Sequence, residues 1–106
     1  MAKYLIRGSY SVAGTQGLMK DGGSGRKAAL EQMLRGLGGK LEALYFTFGD
    51  ADAIAIIDAP DATTAAAASV AINSKGAVEA STVPLITVEE MDAACQRSVD
   101  YRPPGA

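Results

Sequence analysis

Few residues of this 106-residue chain combine in a way that could do chemistry, and the strongest candidates are cationic and hydroxylic. Arg7 lies in the run KYLIRGSY, whose alternation places it on one face of a strand with Leu5 and Ser9. A guanidinium set in the middle of a sheet needs a partner. Glu42, Asp52, Asp58 and Glu79 are the carboxylates on offer. A ligand is the other solution: Arg7, Ser9, Tyr45, Thr47 and Ser81 could frame a small pocket for an acidic or polar aromatic molecule. A second candidate is Gly22-Gly23-Ser24-Gly25-Arg26-Lys27. Free amides at a helix start beside two cations suit an anion, with contacts from Ser24, Gly25, Arg26 and Lys27. Gly23-x-Gly25-x-x-Ala28 fits the loose dinucleotide pattern, but that fingerprint needs a strand directly before the turn. The strand here ends well upstream, so a loop with a helix cap at Ser24 is the simpler reading.

The remaining candidates have plainer explanations. Tyr10 and Tyr45 carry phenols, yet amphipathic strand packing accounts for both. Asp50 and Asp52 could hold a metal, but they sit in turn chemistry. Cys95 belongs to an apolar helical stripe and reads as an inert core thiol. The chain contains no histidine and one cysteine. That removes Ser-His and Cys-His catalysis, His-ligated metals and any thiolate cluster within one chain. No catalytic residue, metal or cofactor is assigned. A net charge of −2 and a pI near 5.0 argue against general affinity for nucleic acid or anionic membranes. Nothing approaches the apolar length of a membrane span, and Arg7 and Gly8 interrupt any signal-like core at the start. With no intrachain disulfide possible, a cytoplasmic location is the expectation.

These side chains need elements to hold them. Residues 3–10 form the first strand. Residues 11–25 hold five glycines and read as a long connection, with one helical turn at 16–20. A helix follows Ser24, with Leu30, Met33, Leu34 and Leu37 in its apolar stripe, and ends at Gly36, Gly38 and Gly39. Strands at 41–48 and 53–57 flank the turn Gly49-Asp50-Ala51-Asp52 and make a hairpin. Asp61 caps an alanine-rich helix over 62–73, whose small side chains imply close approach to the sheet. Asn73 reads as its C-terminal cap. A fourth strand spans 78–86, with Pro84 marking an edge or an end. Thr87-x-x-Glu90 is a capping box for a helix over 88–98, with Ile86 and Met91 as its staple.

The order β-α-β-β-α-β plus an extra helix predicts an α+β, ferredoxin-like antiparallel sheet in spatial order 4-1-3-2, with two helices on one face. The strands carry a second message. Leu44, Phe46 and Phe48 oppose Leu41, Ala43 and Tyr45, while Ile54 and Ile56 oppose Ala53, Ala55 and Ile57. A sheet covered on one side should alternate apolar with polar, and this one is apolar on both faces. A second copy covering the bare face, as a homodimer or larger homo-oligomer, is the expected solution.

The segments KYLIRGSY, GGSGRKAA, GGKLEALYFTFGDAD and TVEEMDAACQ with YRPPG together resemble the GYD-domain family along nearly the whole chain. The resemblance implies the fold of the dimeric α/β-barrel proteins, and it implies no established activity. One position departs: the family pattern Gly-x-Tyr-Asp stands here as Gly49-Asp50-Ala51-Asp52. Three readings follow. The chain is a small-molecule or anion-binding oligomer, a cofactor-independent enzyme similar to the small antibiotic-biosynthesis monooxygenases, or a structural oligomer. The enzyme reading requires an apolar pocket of ~300 Å³ or more.

Overall fold

A computed structural model describes all 106 residues. Strand β1 (Ala2–Tyr10) leads into helix α1 (Val12–Gly36), then β2 (Lys40–Phe46), β3 (Ala53–Ala59), helix α2 (Ala62–Ser74), β4 (Val78–Leu85) and helix α3 (Val88–Gln96). The four strands make one open antiparallel sheet in the order β2-β3-β1-β4. Tyr4 and Ile6 of β1, Ala55, Ile57 and Ala59 of β3, Leu34 of α1 and Ala65 of α2 form the core. Both long helices therefore bury their apolar stripes on the same face of the sheet. Ala65 and Ala68 are almost fully buried, so α2 does lie close to the strands. The opposite face carries Leu5, Arg7 and Ser9, register partners of Ile56 and Ile54 on one side and of Val83, Ser81 and Glu79 on the other.

Three local expectations are corrected. The stretch after β1 is helical from Val12, not a loop. Ser11 caps it, accepting a hydrogen bond from the Gly14 amide at 3.1 Å and donating to the Ala77 carbonyl at 3.2 Å. Glycine lowers helix propensity by about 1 kcal/mol per residue, which is why the sequence conceals this segment. Contact with the chain just before β4 supports it instead: Gly14 passes so close to the Ala77 carbonyl that no side chain fits there. The helix breaks at Gly22 (φ 73°, ψ 171°), a conformation that glycine adopts freely. Ser24 therefore follows the break and is not the helix cap.

The second correction concerns β2. A bulge between Leu41 and Ala43 shifts its parity, so Leu41 opposes Ile57 and packs on the helix-side core. Only Ala43 and Tyr45 remain on the bare face. The strand also stops at Phe46, because the Thr47 amide turns to donate to the Asp52 carbonyl at 2.9 Å. Phe48 is left fully exposed, outside the sheet.

The third concerns the C-terminal region. Both capping-box bonds of α3 form, Glu90 N–H to Thr87 Oγ1 at 3.0 Å and Thr87 N–H to Glu90 Oε1 at 2.9 Å. The helix ends at Gln96, short of Ser98, since Arg97 is already extended. It buries nothing, and Cys95 is exposed, so the stripe is not part of this chain's core. Asn73 also departs from expectation. Its side chain leaves the helix end and bonds both the N–H (2.7 Å) and C=O (3.1 Å) of Ala80, plugging the outer edge of β4.

A pair of glycine substitutions separates these effects. Gly17→Ala meets open space in the first half of α1 and is expected to raise stability by ~0.5–1 kcal/mol. Gly14→Ala pushes a methyl into the Ala77 carbonyl and is expected to cost more than ~1 kcal/mol. Urea denaturation of the two variants beside the parent checks both signs.

Candidate functional site

Arg7 sits mid-strand in β1, one of the two central strands, and faces away from the helices. It is exposed, so its central position does not by itself oblige it to find a partner within the chain. It forms no ion pair: both salt bridges of the chain belong to Lys3. Lys3 Nζ lies 3.0 Å from Asp58 Oδ1 and 3.1 Å from Glu42 Oε1, and so engages two of the four carboxylates available to Arg7. The bulge at Glu42 is what places its side chain on this face. Asp58, only 7% exposed, is the buried polar member of this group. The bond to Asp58 first, and that to Glu42 second, raise the Lys3 pKa above its ordinary 10.5.

Asp52 is committed as well. Its carboxylate accepts from the Tyr10 amide at 2.8 Å, its own amide donates to the Gly8 carbonyl at 2.8 Å, and its carbonyl receives Thr47. One residue thus ties the hairpin turn to the end of β1. No cluster of three potential metal ligands forms around Asp50 and Asp52 or elsewhere in the chain. Of the four carboxylates only Glu79 remains, and it lines the same hollow as Arg7.

That hollow is a shallow, open one of about 330 Å³, lined by Arg7, Ser9, Asp50, Ala51, Glu79, Ala80 and Ser81. Three of the five residues expected to frame a pocket, Arg7, Ser9 and Ser81, meet here. Tyr45 lies across the sheet on the edge strand β2, opposite Ile54. Thr47 turns to a separate groove of about 370 Å³ with Tyr10, Leu18, Phe46 and Phe48. Sequence reasoning did not place Asp50 and Ala51 here. Ser9 Oγ donates to the Asp50 carbonyl at 3.3 Å, which folds the turn back over the strand end. Ala51, where the family resemblance expects tyrosine, is buried and leaves the hollow open.

The glycine-rich segment is dispersed. Arg26 lines the apolar cavity between sheet and helices, while Ser24 and Lys27 are exposed. Asp21 packs beside Gly25, bringing an acidic side chain to the start of the second helical half. The cavity itself, lined by Ile6, Leu30, Leu34, Leu44, Ile57 and Ile72 among others, measures only about 50 Å³.

Two substitutions probe the framework of the site. Asp52→Ala leaves the Tyr10 amide without its acceptor and is expected to cost ~1–3 kcal/mol in chemical denaturation. Lys3→Met strands Asp58 and is expected to lower the melting temperature at neutral pH. Because the folded pKa of Lys3 is raised, its contribution is complete below 10.5 and disappears as pH climbs through the folded value. The gap in melting temperature between parent and Lys3→Met should therefore close above pH 10.5, which a series of thermal melts reads directly.

No helix of the chain is long and apolar enough to cross a membrane. Neither the curated proteins nor the solved structures include a significant match to this sequence. The model of the GYD domain matches residues 4–95, which takes in all four strands, both core helices and most of α3. The chain belongs to the GYD domain family.

Proposed function

We propose that this chain is a homo-oligomeric binding protein of ferredoxin-like topology, working in the cytoplasm. Its copies pair through their bare sheet faces in the manner of a dimeric α/β barrel. A small polar molecule is held at the hollow around Arg7. The observation that carries this reading is the Arg7 guanidinium, which has no ion pair within its chain, at the centre of the sheet face that no helix covers. Its register partners are Ile54 and Ser81, with Leu5, Ile56 and Val83 close by. Its side chain is exposed in the single chain, so a molecule arriving at this face can reach it.

The charge balance narrows the ligand. One cationic residue, Arg7, two acidic ones, Asp50 and Glu79, and the serines Ser9 and Ser81 line the hollow. A purely anionic molecule would meet repulsion from the two acids. A small molecule with a carboxylate for Arg7 and a cationic or hydrogen-bond-donating end for Glu79 and Asp50 fits better. The strand order β2-β3-β1-β4 and the two helices on one face support the ferredoxin-like assignment. Binding is favoured over catalysis because the enclosed apolar cavity, at about 50 Å³, falls well short of the space an aromatic substrate needs.

Native mass spectrometry of the protein purified from its own host tests the reading. The expected spectrum shows an oligomer carrying a small polar molecule, and Arg7→Ala loses that molecule. The same substitution is expected to change stability by less than ~0.5 kcal/mol, since Arg7 bonds nothing within its chain. A variant that dissociates or melts early would mean that the guanidinium is an inter-subunit strut, and the binding reading would fail.

A further inference from the structure

Residues 86–106 are exposed without exception, and α3 has no substantial packing against any other element. The molecule consequently spans 55 × 33 × 22 Å with a radius of gyration of 16.7 Å, against ~13 Å for a compact chain of this length. Its accessible surface of 7417 Å² is about a third more than the ~5,600 Å² of a compact 10.9 kDa monomer. A surplus on the order of 1,800 Å² is the scale that a stable protein–protein interface removes from water.

The arm is built, not frayed. A nine-residue helix is marginal alone in water, yet α3 carries a complete capping box. Val88, Met91 and Cys95 recur at i, i+3 and i+7, with Ala94 beside them; Asp92 borders the stripe, while Glu89 and Glu90 take other faces. Val99 and Tyr101 extend the apolar character beyond the helix and are exposed too. An amphipathic helix with a formed cap and no apolar surface to meet lacks its partner. The arm continues directly from Leu85 at the end of β4, an edge strand bordering the bare sheet face. About 14 Å of helix and up to ~33 Å of extended tail give it reach across a neighbouring subunit of 33 × 22 Å cross-section.

We infer that residues 86–106 form an exchange arm. In the assembled protein each copy lays the Val88–Met91–Cys95 stripe and Tyr101 on the apolar surface of a second copy. This rests on the sheet-to-sheet pairing proposed above and adds a reciprocal clasp to it. The second copy is the occupant because the surplus surface is of the size that association of subunits removes from water.

The lone cysteine lies on the stripe and is exposed in the single chain, so it carries the probe. Light and isotopically heavy full-length chains are refolded together, labelled at Cys95 with a short benzophenone maleimide and irradiated. The expected result is arm-to-body crosslinks in which light–heavy pairs are as frequent as like pairs. A light-scattering mass taken on the same sample keeps the two claims apart. A monomeric mass removes the pairing and the clasp together. A dimeric mass with no light–heavy crosslinks overturns the clasp alone. As a second readout, Met91→Asp, at a side chain about half exposed in the single chain, is expected to weaken the dimer about tenfold or more. An unchanged dissociation constant would also count against the clasp.

Discussion

This sheet carries apolar residues on both faces, and the chain has helices for one face only. Leu34 and Ala65 close the face that carries Tyr4, Ile6, Ala55 and Ile57. Behind it, Leu5, Ala43, Tyr45, Ile54, Ile56 and Val83 make a second apolar layer with no element of the same chain across it. The remaining features are responses to that constraint. Asn73 plugs the outer edge of β4, blunting one route to unwanted strand addition. The arm after β4 carries its own apolar stripe away from the fold.

The polar groups on the bare face are sorted in a way that burial alone would not require. Lys3 collects Asp58 and Glu42 at one end of the sheet. Asp52 is consumed in fastening the hairpin turn to Tyr10 and Gly8 at the other. Arg7, between them, is left with none of these carboxylates. Under the proposed pairing, a guanidinium left unpaired beneath a second copy would be costly unless a counter-charge were supplied. That counter-charge is the proposed ligand, and the hollow formed with Ser9, Ser81, Glu79 and Asp50 is where it meets the arginine.

Much of this was legible in the residues. Strand alternation located Arg7, Ser9 and the greasy second face, and the Thr87–Glu90 spacing located a helix start whose two bonds both form. What escaped shares a physical cause: long-range contact overrode local preference. Five glycines hid the first half of α1, which depends on the Ala77 carbonyl far along the chain. One extra residue at Glu42 turned Leu41 inward, and no local signal marks a bulge. Asn73 spent its amide on a strand instead of its own helix end. Cys95 was placed correctly on an apolar stripe, but the stripe has no core within its own chain to join.

The central claim is that the second face is covered when the protein is in solution. Hydroxyl-radical footprinting compares residues of one type on the two sides: Val83 on the bare face, 47% exposed in the single chain, and Val12 at the start of α1, 78% exposed. Coverage is expected to suppress labelling of Val83 far below the ratio of those exposures while Val12 labels freely. Labelling of Val83 in proportion to its single-chain exposure, at concentrations where the protein is intact, would contradict the account.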